Sequence, residues 1–156
     1  MSPRLIETWL RAPAVRRWLG LGLIALTIGV ALLVTQYPFH LHLGTASLSR
    51  VDWRLYYPGH NDRDLVQNLL MLAPLGVGLG LARHGLAGLA RIALEACALG
   101  FGTSLLLEAL QIFQRGRFPQ VADVWRNGVG CVVGALLVAL VLRSIDRATI
   151  DRPARM

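Results

Sequence analysis

The sequence predicts an all-α membrane protein, a bundle of four transmembrane helices with both termini in the cytoplasm. Three observations carry that prediction. The chain is 54% hydrophobic, with mean hydropathy +0.52 over 156 residues, well above an ordinary soluble domain. It holds four apolar runs near the roughly 20 residues that cross a hydrocarbon core. Its basic residues collect at the ends of those runs, unequally on the two sides. A soluble bundle would need a polar stripe on each helix, and these runs have almost none.

The first span covers Leu19 to Tyr37. It is longer than a signal-peptide core and no small-x-small site follows, so it reads as an uncleaved anchor. The second covers Leu65 to Ala82, and Pro74 within it frees the carbonyl of Leu70 and predicts a kink. The loop "RHGLAGLAR" is short, so the second span and the third, Ile92 to Phe113, are expected to pair tightly. The fourth covers Val124 to Leu142. The chain then divides into a cytoplasmic segment (1–18), a membrane domain (19–142) and a basic cytoplasmic tail (143–156).

All 16 basic residues are arginine. Ten (Arg4, Arg11, Arg16, Arg17, Arg83, Arg91, Arg143, Arg147, Arg152 and Arg155) fall on the side that holds both termini. The other six share their side with Asp52, Asp62, Asp64 and Asp123. That bias orients both termini inward, in a multi-pass protein of the plasma (inner) membrane. It also accounts for the net charge of +7 without a nucleic-acid partner.

Between the first two spans, Trp53, Tyr56 and Tyr57 suit the membrane interface. "FHLHL" alternates like a short strand with His40 and His42 on one face, but no third ligand follows at a metal-binding spacing. Cys97 and Cys131 lie at different depths and read as packing residues. Gly76 with Gly80, and Gly130 with Gly134, are GxxxG pairs, which let helix backbones approach closely and offer faces for a homo-oligomer. Neither set follows a strand or continues as a nucleotide loop.

The candidate site comes from polar residues inside the spans. Glu108 and Gln111 are three apart, Asp64 and Asn68 four, Asp123 and Asn127 four, so each pair shares a helix face. The second and fourth spans begin on the outer side and the third ends there. At about 1.5 Å per residue, Asn68 and Asn127 lie roughly 5 Å, and Glu108 roughly 8 Å, inside the outer ends of their spans. Arg117, on the loop between the third and fourth spans, can reach down to a carboxylate. One outer-leaflet cluster from three helices is expected, its ligand-binding residues Asp64, Asn68, Glu108, Gln111, Arg117, Asp123 and Asn127. The competing reading is hydrogen-bonded glue between helices. An ionisable residue within a span favours function. Elsewhere Glu95 is expected to pair with Arg91, Arg83 and His84 to form a solvated turn, and Thr103 and Ser104 to bond back to their own helix.

The same residues carry a resemblance. "YPF" after the first span, "NLLMLAPLG" with Asn68, Pro74 and Gly76, "SLLLEALQ" with Ser104, Glu108 and Gln111, and "RFPQVADVWRNGVGCVVG" with Arg117, Asp123, Asn127, Gly130 and Gly134 occur in order. Over residues 20 to 142 the chain resembles the VanZ-like membrane proteins. Leu72 stands where that family usually has Phe, and Gln120 where it usually has an acidic residue. The resemblance implies a multi-span envelope protein, and the family's founder is associated with low-level teicoplanin resistance. It supplies no reaction.

Three function classes follow. The first is an envelope protein whose outer pocket binds a polar or anionic ligand: a membrane lipid headgroup, an envelope precursor or a glycopeptide. The second is a membrane-embedded enzyme with Glu108 and Asp123 as candidate catalytic acid and base on a lipid-linked substrate. The third is a small transporter subunit. No Ser-His-Asp set, HExxH or Walker loop is present, and no metal or other cofactor is expected.

Overall fold

The computed structural model describes residues 12–42, 48–55 and 62–150. Four long helices occupy them: α1 (Pro13–Gln36), α2 (Asp62–Arg83), α3 (Leu89–Gln111) and α4 (Val121–Ile150). Among the described residues, one 3-10 turn, Leu48–Arg50, lies in the loop after α1. Each long helix can cross a membrane by length and composition, with mean hydropathy of 1.5 to 2.2 over its most apolar 18 residues. Among the described residues there are no strands, only two isolated bridges, Leu41 with Gln114 and Asp52 with Gln120.

The ends follow local chemistry. α1 starts at Pro13, where a missing N–H costs nothing. Gly85, at φ +76°, turns the chain between α2 and α3. α2 runs through Pro74, which sits on its exposed face. α4 extends well past Leu142, because no glycine or proline interrupts the sequence between Gly134 and Pro153.

The neighbours differ from those the loop lengths suggest. α2 and α3 are consecutive, yet they touch little: each packs mainly against α4, and α1 packs mainly against α2. Small residues decide this. Gly76 abuts the backbone of Cys131 and Ala135, Gly80 the carbonyl of Ala135, Gly130 the carbonyl of Leu69 and Gly134 that of Ala73. A side chain at any of them would collide with the facing helix. Gly20 meets the Gly78 carbonyl in the same way, joining α1 to α2. Both GxxxG pairs thus pack helix against helix inside one chain.

The buried apolar centre is small: Leu72, Leu75, Ile92, Ala96, Leu107, Cys131, Ala135 and Ala139. Large apolar residues such as Leu26, Leu33, Leu70, Leu94, Leu105 and Leu137 point outward instead. In water such a surface would be an aggregation liability; in lipid it is what the surroundings match. Cys97 is exposed and Cys131 buried, both as free thiols. Trp53 is exposed, while Tyr56 and Tyr57 lie outside the described residues.

At the end holding the α2–α3 loop, Glu95 pairs with Arg83 (2.6 Å) as well as Arg91 (3.0 Å). His84 is not solvated. It is buried and donates from Nε2 to Asp146 Oδ2 at 2.7 Å. The additional turns of α4 carry Asp146 back to it.

Candidate functional site

The opposite end is assembled by its loops. Arg50 donates to the carbonyls of Ile112 (2.6 Å) and Gln114 (2.8 Å), just past the end of α3, where a helix concentrates unsatisfied carbonyls and partial negative charge. Gln114 turns inward and donates to Gln36 Oε1 at 2.5 Å, and Gln36 donates to the Leu107 carbonyl at 3.1 Å. Both glutamines are 3% exposed, so this amide pair closes α1 onto α3 with its polar groups satisfied. Asp52 brackets the start of α4: its N–H donates to the Pro119 carbonyl (2.8 Å) and its carbonyl accepts from Val121 (3.0 Å).

That placement brings the beginning of α4 beside Glu108. The Gln120 N–H donates to Glu108 Oε2 at 2.8 Å. A carboxylate is tolerated in α3 because it meets the donor-rich N-terminal end of α4. Deeper, Asn68 of α2 donates to Asp123 Oδ1 at 2.6 Å. Arg126 reaches the same oxygen at 3.5 Å. Asn127 donates to Ser104 Oγ at 3.0 Å, and Ser104 donates to the Asp123 carbonyl at 3.4 Å. Ser104 therefore joins α3 to α4 instead of bonding back along its own helix. Three helices share one polar network.

The network borders a cleft of about 640 Å³. Asn68, Glu108, Gln111, Arg117, Asp123 and Asn127 all line it, and Val34 and Thr35 of α1 complete the wall. Asp64 is exposed and is not part of the lining. Arg117 is exposed on the loop, where it donates to the Tyr37 carbonyl at 3.2 Å; it faces the cleft without forming an ion pair with either carboxylate.

Sequence reasoning left four residues of this end outside the site, among them Ser104, which it expects to bond back along its own helix. Arg126, three positions after Asp123, and Ser104, four before Glu108, carried a helical-spacing signal. Gln36 and Gln114 carried none, because the turn after α3 decides their meeting. Chemically, the cleft presents two carboxylates, two asparagines, three glutamines (Gln67 and Gln120 beside Gln111), and one guanidinium. Such a lining accepts hydroxyl, amide or ammonium donors along its carboxylates and an anionic group at Arg117. Among the described residues, no three His, Cys, Asp or Glu side chains gather in a set able to hold a metal ion.

The sequence model of the VanZ/LLP1 family matches residues 18–142, a stretch containing every cleft residue named above. No curated protein and no solved structure matches the chain. Since the match runs from α1 into α4 and takes in most of the sequence, the chain belongs to the VanZ/LLP1 family.

Proposed function

We propose that this VanZ-like multi-pass membrane protein binds the polar headgroup of an envelope ligand in the cleft formed by Asn68, Glu108, Gln111, Arg117, Asp123 and Asn127. The observation that carries the reading is the cleft itself. Helix glue closes the space between helices, whereas here about 640 Å³ stays open beside the polar network, within the range of ligand pockets. The arginine bias supports an orientation with both termini in the cytoplasm, residues 1–18 and 143–156 flanking the membrane domain there. The cleft then opens to the outer leaflet of the plasma membrane, where lipid headgroups, cell-wall precursors and glycopeptides meet. A part in teicoplanin-type resistance belongs to this reading.

The test is complementation of a deletion strain under glycopeptide stress by Glu108→Gln and by Asp123→Asn, beside melting in detergent. Both variants are expected to insert and melt as the parent while complementation fails. Full complementation by both would return the cluster to a structural role.

One observation favours a second reading. Glu108 and Asp123 line the same cleft, an arrangement suited to acid–base chemistry on a lipid-linked substrate. Incubating the purified protein with an envelope lipid extract separates the two: covalent change that Glu108→Gln abolishes indicates an enzyme, and retention of unchanged lipid indicates a binding protein.

A further inference from the structure

Beside the cleft, the loops at the same end enclose a second cavity of about 370 Å³, lined by Pro38, His40, His42, Gln114, Arg115 and Arg117. Among the described residues its ionisable lining is basic: two arginines and two histidines, without a carboxylate. We propose that this cavity binds the phosphate of an anionic phospholipid headgroup.

Position is the first argument. α1 ends at Gln36 and α3 at Gln111, and the cavity residues lie just beyond both ends. That is the level where hydrocarbon gives way to headgroups and where lipid phosphates reside. Tyr37, Phe39 and Leu41 are exposed alongside and offer apolar surface to the adjoining chains.

Construction is the second. Leu41 bridges to Gln114, and the His42 N–H donates to the Phe113 carbonyl at 2.8 Å, fastening one loop to the other. Two left-handed residues turn these loops toward each other, Phe39 at φ +63° and Gly116 at φ +78°. Glycine adopts that conformation freely; phenylalanine does so only where its surroundings hold it, a strain that concentrates at functional sites. Arg117 is anchored across the gap by its bond to the Tyr37 carbonyl, which engages Nη2. A guanidinium carries five donors, so others remain for a phosphate, whose oxygens match its forked geometry.

The proposal goes beyond the cleft reading and does not depend on it, although Arg117 lines both cavities and would bring a bound phosphate next to the cleft. The test uses the full chain in detergent micelles, with retained lipid counted by native mass spectrometry. The probes are dioleoyl phosphatidylglycerol, dioleoyl phosphatidylcholine and inorganic phosphate. Phosphatidylglycerol is expected to be retained and phosphatidylcholine not. Arg115→Gln and His40→Gln, both at exposed positions, should each weaken retention about tenfold, the scale of one charge-assisted hydrogen bond, without moving the melting temperature. Arg63→Gln, at an exposed arginine of the same end that lines neither cavity, should leave it unchanged, so that a general attraction of this end to anionic lipid and a built phosphate site give different results. Equal retention of phosphatidylglycerol by the parent and both basic-site variants would overturn the site. Binding of inorganic phosphate with no retention of phosphatidylglycerol would overturn the lipid assignment.

Discussion

Glu108 of α3 accepts a hydrogen bond from the backbone N–H of Gln120 at 2.8 Å, so a carboxylate within one span meets the N-terminal end of the next. The side chain thereby secures the loop between α3 and α4 and also lines the cleft. Its two roles separate by substitution. Glu108→Gln retains an acceptor oxygen and should leave stability within about 0.5 kcal/mol. Glu108→Leu leaves the Gln120 N–H unpaired and should cost about 1–3 kcal/mol. Melting of both variants in one detergent checks this. Equal melting would mean that the bond to Gln120 contributes nothing.

Glycine contacts give a second prediction. A side chain at Gly130 meets the Leu69 backbone, which cannot rotate away, while one at Gly22 meets nothing within 4 Å. Gly130→Ala should therefore push α4 from α2 and destabilise by about 1–3 kcal/mol, as overpacking does. Gly22→Ala should be neutral or stabilise by up to about 1 kcal/mol through helix propensity. The same melting measurement decides, and similar values for the two would refute the close α2–α4 contact.

At the far end, Asp146 is the acceptor for buried His84. Asp146→Ala should cost about 1–3 kcal/mol by leaving the imidazole without its partner. Arg147→Ala, next in sequence and exposed as Asp146 also is, should stay within about 0.5 kcal/mol. Because the pair ties α4 to the end of α2, Asp146→Ala should also speed proteolysis of the α2–α3 loop. Unchanged cleavage would show that the pair does not hold that end closed.

What could be read in the sequence follows from which features repeat. Asn68, Glu108, Asp123 and Asn127 were legible because helical spacing sets a face and the topology sets a depth; the structure brings all four to one cleft. Asp64 obeyed the same spacing, yet it lies a full turn nearer the end of α2 and remains exposed. The pairing of α2 with α4 was hidden because a short loop suggests neighbours, whereas backbone approach at Gly76, Gly130 and Gly134 selects them. Gln36 meets Gln114 only because Arg50 holds the carbonyls of Ile112 and Gln114, and the backbone turns at Phe39 and Gly116. None of those loop contacts has a period to detect. His84 was misread for a related reason: its partner Asp146 is distant in sequence, on turns of α4 beyond the apolar run.

Orientation is the last prediction, because the outer-leaflet assignment of the cleft depends on it. Ten arginines flank the spans on the side of the termini and six on the side of the cleft, where aspartates accompany them. Orientation follows the Lys/Arg excess of short loops, to which acidic residues contribute little. A reporter fused after Met156 should therefore read cytoplasmic, and one inserted near Gly59 should read external. A graded test uses the short loop between α2 and α3, whose basic residues are Arg83 and Arg91. Arg91→Gln should shift a fraction of molecules toward the inverted orientation, since it narrows the margin while leaving the Arg83–Glu95 pair available. Adding arginines near Gly59 should shift the same fraction further. Because Arg91 is exposed and its pair with Glu95 is a surface pair, the change should cost no more than about 1 kcal/mol of stability. A reporter after Met156 that reads external in the parent would place the cleft on the inner leaflet, and an outer-leaflet ligand would then have no route to Glu108.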